Sequence, residues 1–208
     1  MNLKKKVKSI VALSLILGGT IANSNIISFA DTKLDNSQIE LDNSQVITDE
    51  NGDIVIVDGD VELRLTPISC TVEDKNGVVR DLEKDLRDTT FTVQLGSTVT
   101  KGYIGQLSLN GKLTTSANID IKVKCTGARK ILATSHISSL KSHDTNYTAS
   151  SGVVNGNEGE VSSTSARISA TSKFGTRYDA TFKSLNTVKS SSGSAQGYQV
   201  QVTQSFYR

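Results

Sequence analysis

The sequence has 208 residues, with 23 basic and 21 acidic side chains and a formal net charge of +2. Four of the lysines lie in the first thirty residues, which hold no acid, so residues 31–208 carry 19 basic and 21 acidic side chains and a net charge of −2. This balance argues against nucleic-acid binding, which needs a basic surface, and the length is enough for one domain with its own hydrophobic core.

The first thirty residues have the pattern of a secretory signal peptide. Lysines at positions 4–6 and 8 precede an apolar segment over 10–17, and Ser28-Phe29-Ala30 offers small residues to a signal peptidase. We therefore expect cleavage before Asp31, secretion to the extracellular space and no stable membrane span after cleavage. The lysine-rich composition of the basic segment indicates a bacterial protein. An uncleaved membrane anchor is the alternative, although the apolar segment is too short to span a bilayer.

Residues 31–48 form an acidic segment with an internal duplication. The sequence Leu-Asp-Asn-Ser-Gln occurs at 34–38 and again at 41–45, and Asp, Asn and Ser are poor helix formers. We interpret 31–48 as a flexible leader and 49–208 as a single β domain. Residues 31–90 hold 16 acids and 6 bases, whereas 91–208 hold 5 acids and 13 bases, so an acidic segment precedes a basic body.

Apolar and polar residues alternate along much of the chain. The clearest example is 118–125, where one side would carry Ile119, Ile121, Val123 and Cys125 and the other Asp120, Lys122 and Lys124. Such alternation is typical of a strand with one buried and one solvent-facing side. Asn-Gly pairs, which favour tight hairpin turns, occur at 51–52, 76–77, 110–111 and 155–156.

These patterns predict an all-β fold. We favour an antiparallel β-sandwich, Ig-like or jelly-roll-like, because short alternating segments follow one another with turns between them and no βαβ rhythm is present. A β-barrel is the alternative. At most one short helix is expected, at 81–87, where Leu82 and Leu86 are four residues apart.

Cys70 and Cys125 are the two cysteines of the chain. In an exported protein an even pair is interpreted first as a disulfide, which would tie the acidic first third to the basic body. Two free, buried thiols are the alternative. A catalytic cysteine is disfavoured, because Cys125 falls inside a regular strand and no motif places a histidine beside it.

Several residues are candidates for binding. The densest basic cluster contains Lys122, Lys124, Arg129 and Lys130, and the tyrosines expected to be exposed are Tyr147 and Tyr207. A weak calcium site could be formed by Asp58, Asp60 and Glu62, since carboxylate oxygens are the ligands that Ca²⁺ prefers. The EF-hand pattern itself fails, because its sixth position is Ile54 instead of glycine. No other metal site and no cofactor is indicated.

No motif of catalysis is present, so we assign no catalytic residue. His143 and Asp144 are adjacent and serines are abundant, but the Gly-x-Ser-x-Gly motif is absent. The sequence therefore favours a secreted, non-enzymatic binding module with an unidentified extracellular or cell-envelope partner. The alternatives are a hydrolase that uses His143 and a β-structured toxin, whose inserting hairpin the Ser/Thr-rich stretch 146–172 would supply.

Overall fold

The computed structural model describes residues 45–49, 52–82, 90–194 and 197–207, and these residues contain strands and turns but no helix. All of them belong to one compact unit, 42–208. None forms a helix long and apolar enough to cross a membrane. The strands are β1 (Gln45–Thr48), β2 (Ile54–Asp58), β3 (Val61–Glu73), β4 (Val79–Asp81), β5 (Thr90–Gln94), β6 (Thr98–Leu109), β7 (Lys112–Gly127), β8 (Lys130–Ser142), β9 (Tyr147–Val154), β10 (Val161–Ser172), β11 (Arg177–Ser194) and β12 (Gly197–Tyr207).

The strands form two antiparallel sheets. Sheet A has the order β1-β2-β3-β6-β7-β8, with β4 paired to β3 beyond the end of β2, and sheet B has the order β5-β12-β11-β10-β9. Most neighbours in a sheet are also neighbours in the chain, so each sheet is largely a meander. The exceptions are β3, which pairs with β6, and β5, which follows β4 in the chain but pairs with β12 at the edge of sheet B.

The two sheets pack face to face around one core, which confirms the predicted β-sandwich. Residues from both sheets share one buried cluster, and across it the ring of Tyr103 in β6 meets that of Phe182 in β11 edge-on, at 5.8 Å between centroids. The alternative of a barrel is wrong. β1 and β8 end sheet A, β5 and β9 end sheet B, and no ladder joins these edges into a closed ring in the part of the chain that the structure describes.

β7 has the alternation that the sequence predicts. Ile119, Ile121, Val123 and Cys125 are buried against sheet B, while Lys122 and Lys124 are exposed on the opposite side. Turn chemistry is also confirmed at one hairpin: Asn110 and Gly111, with φ of 51° and 73°, join β6 to β7. Asparagine and glycine tolerate this left-handed conformation better than other residues do.

Other predictions fall partly or wholly outside the described residues. The signal peptide 1–30 and most of the leader 31–48 lie there, but the last four leader residues form β1, which pairs with β2. The helix expected at 81–87 also lies there for the most part, because 83–89 are not described and Asp81 belongs to β4.

The expected disulfide between Cys70 and Cys125 is wrong, since both are free, buried thiols. The register gives the reason. Cys70 lies opposite Lys101, and Lys101 lies opposite Ile121, so Cys70 and Cys125 are two strands and four residues apart. With ~4.8 Å between strands and ~3.3 Å per residue, this is about 16 Å, far beyond the ~7 Å Cα separation that a disulfide can bridge.

The β9–β10 connection, residues 155–160, covers the free edge of β8. Ile131 and Gly159 exchange two backbone hydrogen bonds, and the N–H of Gly156 donates to the carbonyl of Ala133 at 3.0 Å. Further along this edge, the N–H of Ser135 donates to the side-chain oxygen of Asn155 at 2.9 Å. The second half of the expected toxin hairpin, β10, is an interior strand of sheet B between β9 and β11, not a loosely attached segment.

Candidate functional site

The outer side of sheet A, facing away from sheet B, carries two lysines on β7, the strand next to the edge strand β8. The neighbours of Lys122 on the adjoining strands are Thr100 and Thr134, and those of Lys124 are Thr98 and Leu132. Both lysines are exposed, and neither forms an ion pair within the described residues. We name these six residues the β7 lysine face.

The other half of the predicted basic cluster is neutralised. Arg129 and Lys130 lie at the turn between β7 and β8, where the β9–β10 connection brings two acids beside them. Arg129 Nε is 2.9 Å from Glu160 Oε1, and Lys130 Nζ is 3.9 Å from Glu158 Oε1. The structure therefore separates the four predicted residues into an uncompensated pair on β7 and a compensated pair at the turn.

An Asp–His pair borders the β7 lysine face. Asp120 precedes Lys122 by two residues on the same side of β7, and its carboxylate is 3.9 Å from Nδ1 of His136 in β8. The two residues are directly opposite in the register, so they share one position across the strands. One carboxylate therefore borders the β7 lysine face, beside Lys122.

The two tyrosines expected to be exposed have different outcomes. Tyr147 is half-buried, and its ring packs edge-on against that of Tyr178, at 6.3 Å between centroids. It is therefore not an open stacking platform, because its neighbour in β11 occupies one side of it. Tyr207 lies opposite Lys183 in the β11–β12 register, and its side chain is outside what the structure describes.

The calcium candidates do not gather into a site. No group of three or more Asp, Glu, His or Cys residues able to hold a metal occurs in the described ranges. Glu62 instead faces Arg64, with 3.6 Å between its Oε1 and Nε, and Arg64 also binds the carboxylates of Asp49 at 2.8 Å and Asp53 at 3.1 Å. Hydrogen bonding to Asp53, followed by that to Asp49, raises the pKa of Arg64.

A serine and a histidine meet at the corner where β8 turns into β9. Ser116 Oγ and His143 Nε2 are 2.7 Å apart on an exposed surface. Asp144 does not orient this histidine, because its carboxylate accepts a hydrogen bond from Lys112 Nζ at 2.6 Å. That bond, with another from the N–H of Asn146, holds the pKa of Asp144 below its ordinary value. Sequence reasoning missed Ser116, since only the register of β7 with β8 brings it close to His143.

A cleft of about 470 Å³ opens beside β4 and β5. Its volume is that of a small-molecule site. Residues 83–89, which connect β4 to β5, lie outside the described ranges, and the cleft is assigned no ligand. Its lining consists of Val72, Asp74, Val78, Arg80, Leu82, Thr90, Phe91, Thr92, Gln94 and Ser97.

The buried thiols have no feature of a reactive site. Cys125 is fully buried, and this burial raises the pKa of its thiol despite hydrogen bonding that acts in the opposite direction. Reactive cysteines need the opposite environment, partly exposed and electropositive.

Comparisons with protein-family models, with curated proteins and with solved structures found no match to this chain.

Proposed function

We propose that this protein is a secreted, non-enzymatic β-sandwich module that binds an anionic extracellular partner through the β7 lysine face. The observation that carries the proposal is the pair of exposed lysines, Lys122 and Lys124, on the outer side of sheet A, neither of which forms an ion pair in the described chain. Secretion is supported by the sequence of residues 1–30.

The position of these lysines is fixed by the core beneath them. On the opposite side of β7, Ile121 and Val123 are 0% and 1% exposed, so β7 cannot rotate without exposing apolar surface. Two residues along a strand are about 6.6 Å apart, which places the Cβ atoms of the two lysines side by side on one face. Because the backbone beneath them is already ordered, binding through these lysines does not have to order a mobile loop as well.

The charge balance of the body supports the same conclusion. Residues 91–208 hold 13 bases but only 5 acids, and four of these acids lie within 4.0 Å of a lysine or arginine. The fifth, Asp120, lies 3.9 Å from His136, which is charged only when protonated. Most of the acids are therefore already paired, and an excess of positive charge is left for partners. Those five acids are Asp120, Asp144, Glu158, Glu160 and Asp179.

The test measures binding of residues 31–208 to an immobilised sulfated polysaccharide, as a polyanion probe, over a range of salt concentrations. We expect Lys122→Gln/Lys124→Gln to weaken binding about tenfold at low salt, since an exposed ion pair contributes up to about 1 kcal/mol. The matched control is Lys183→Gln/Lys189→Gln, which removes the same charge from exposed positions of β11. Equal weakening by the two variants, or no salt-sensitive binding at all, would contradict the proposal.

A hydrolytic activity is the second candidate, and the 2.7 Å contact between Ser116 Oγ and His143 Nε2 favours it. A nucleophile within hydrogen-bond reach of a base is the minimum arrangement for acyl transfer. The test is turnover of an activated ester by the natural sequence, Ser116→Ala and His143→Ala, with Ser150→Ala, an exposed serine of β9, as the control. Loss of turnover in the first two variants alone would support the activity, whereas equal rates in all four proteins would reject it.

A further inference from the structure

The turn between β10 and β11, residues 172–176, presents an aromatic ring to solvent. Phe174 is 97% exposed, more than any other large apolar residue of the described chain. Hydrogen bonds fix the backbone around it: the N–H of Gly175 donates to the carbonyl of Ser172 at 2.9 Å, and the N–H of Ser172 donates to that of Thr176 at 2.7 Å. Phe174 is therefore held away from the body instead of folding back onto it.

A second turn braces this one. The N–H of Lys173 donates to the carbonyl of Asn146, in the β8–β9 turn, at 3.0 Å. Ser142 at the end of β8 donates its hydroxyl to the carbonyl of Tyr147, and Tyr147 lies opposite Ser172. The end of β8 is thus about two strand spacings, or ~10 Å, from the end of β10.

The uncompensated charges around Phe174 are positive. Lys173 precedes it and Lys141 lies near the end of β8; both are exposed, and neither forms an ion pair within the described residues. The acids of the neighbouring strands and turns are already paired with basic side chains. Asp144 binds Lys112 at 2.6 Å, and Asp179 binds Arg177 at 2.7 Å.

We propose that this end of the sandwich docks on an anionic lipid surface, with Phe174 inserted among the headgroups and Lys141 and Lys173 against the negative charge. The tip is convex, so a surface that binds it must accommodate a projecting ring. The soft interface of a bilayer does so, whereas a rigid protein surface does so only if it has a matching pocket. Burial of an aromatic side chain removes about 150–250 Å² of surface from water. Insertion of Phe174 alone would therefore contribute favourably to membrane binding. Each lysine near an anionic membrane adds a smaller attraction, which salt screens.

The chain contains no tryptophan, so Phe174→Trp supplies a single fluorescent reporter at the tip. We expect its emission to shift to the blue, and to be quenched by brominated acyl chains, on addition of phosphatidylcholine vesicles that contain phosphatidylglycerol. Vesicles of phosphatidylcholine alone should produce neither change. The matched control is Asn76→Trp in the exposed β3–β4 turn, at the opposite end of the sandwich, where anionic vesicles should leave the emission unchanged.

Sedimentation with the same vesicles measures affinity. Phe174→Ala should lower the partition coefficient roughly tenfold or more, and Lys141→Gln/Lys173→Gln should lower it by a similar factor that shrinks at high salt. The Lys183→Gln/Lys189→Gln variant, which removes the same charge from exposed positions of β11 outside this tip, should bind like the natural sequence. Far-UV circular dichroism establishes that each variant is folded.

The outcomes that would overturn the proposal are specific. One is an unchanged emission of Phe174→Trp with anionic vesicles, and another is an equal shift with phosphatidylcholine alone. Undiminished sedimentation of Phe174→Ala would also overturn it. A blue shift in the emission of Phe174→Trp on addition of a purified partner protein, with no shift on addition of vesicles, would assign the tip to a protein partner instead.

Discussion

Replacement of Ser162 by alanine should destabilise the sandwich at the junction of its two sheets. Ser162 Oγ accepts a hydrogen bond from the backbone N–H of Ala133, in the facing strand β8, at 2.9 Å. Ser162 and Ala133 are 2% and 0% exposed, so solvent does not replace the lost acceptor. A buried N–H left without an acceptor costs about 1–3 kcal/mol. We expect the free energy of unfolding to fall by that amount, and Tm by roughly 2–4 °C for each kcal/mol.

The matched control is the next residue of the same strand. Ser163 is exposed, because successive side chains of β10 point to opposite sides, and Ser163→Ala should change the free energy of unfolding by less than about 0.5 kcal/mol. Urea unfolding followed by circular dichroism compares the two variants. Hydrogen exchange adds a local measurement, since the amide of Ala133 should exchange faster in Ser162→Ala alone. Equal stabilities, or an unchanged exchange rate at Ala133, would refute the reasoning.

Two further predictions concern the thiols and one concerns an exposed ion pair. A reducing agent should leave Tm unchanged because Cys70 and Cys125 are free; a drop of several degrees would contradict this. A thiol reagent should label Cys125 slowly until urea is added, because burial raises its pKa, and rapid labelling of the folded protein would count against that burial. The Lys112 bond lowers the pKa of Asp144 from its ordinary 3.8, so its contribution to stability is present above about pH 4 and is lost as the pH falls through the folded-state pKa. Lys112→Gln should be less stable than the natural sequence at pH 7, and the difference should shrink as the pH falls below about 4. Urea unfolding measures both, and a constant difference would contradict the assignment.

Features with a short sequence period could be predicted. The alternation in β7 determines which side chains are buried, since a strand that buries Ile121 must turn Lys122 outward. The Asn110–Gly111 turn could also be predicted, because asparagine and glycine suit the left-handed conformation that joins two strands in a tight hairpin. The sandwich followed from many such segments taken together.

Features that depend on the pairing of distant strands could not be predicted. The disulfide was expected from cysteine number alone, but the register of β3, β6 and β7 keeps Cys70 and Cys125 apart. The contact of Ser116 with His143 depends on a shift in the β7–β8 register beside Ser116. The exposure of Phe174 was missed for a different reason: it lies in the short turn between the consecutive strands β10 and β11, and an isolated phenylalanine in a sequence is more often buried.

The place of β12 within sheet B determines when this sheet can be completed. β12 lies between β11 and β5, and its Val202 pairs with Phe91 about 110 residues earlier in the chain. During synthesis, β5 is made early and has no partner in its sheet until β12 follows. Pairing over such a distance is slow, and an unpaired strand edge is a template for association with other chains. The unfinished chain is thus most prone to aggregate through β5 and β11, and a truncation before residue 197 would make that vulnerable state permanent.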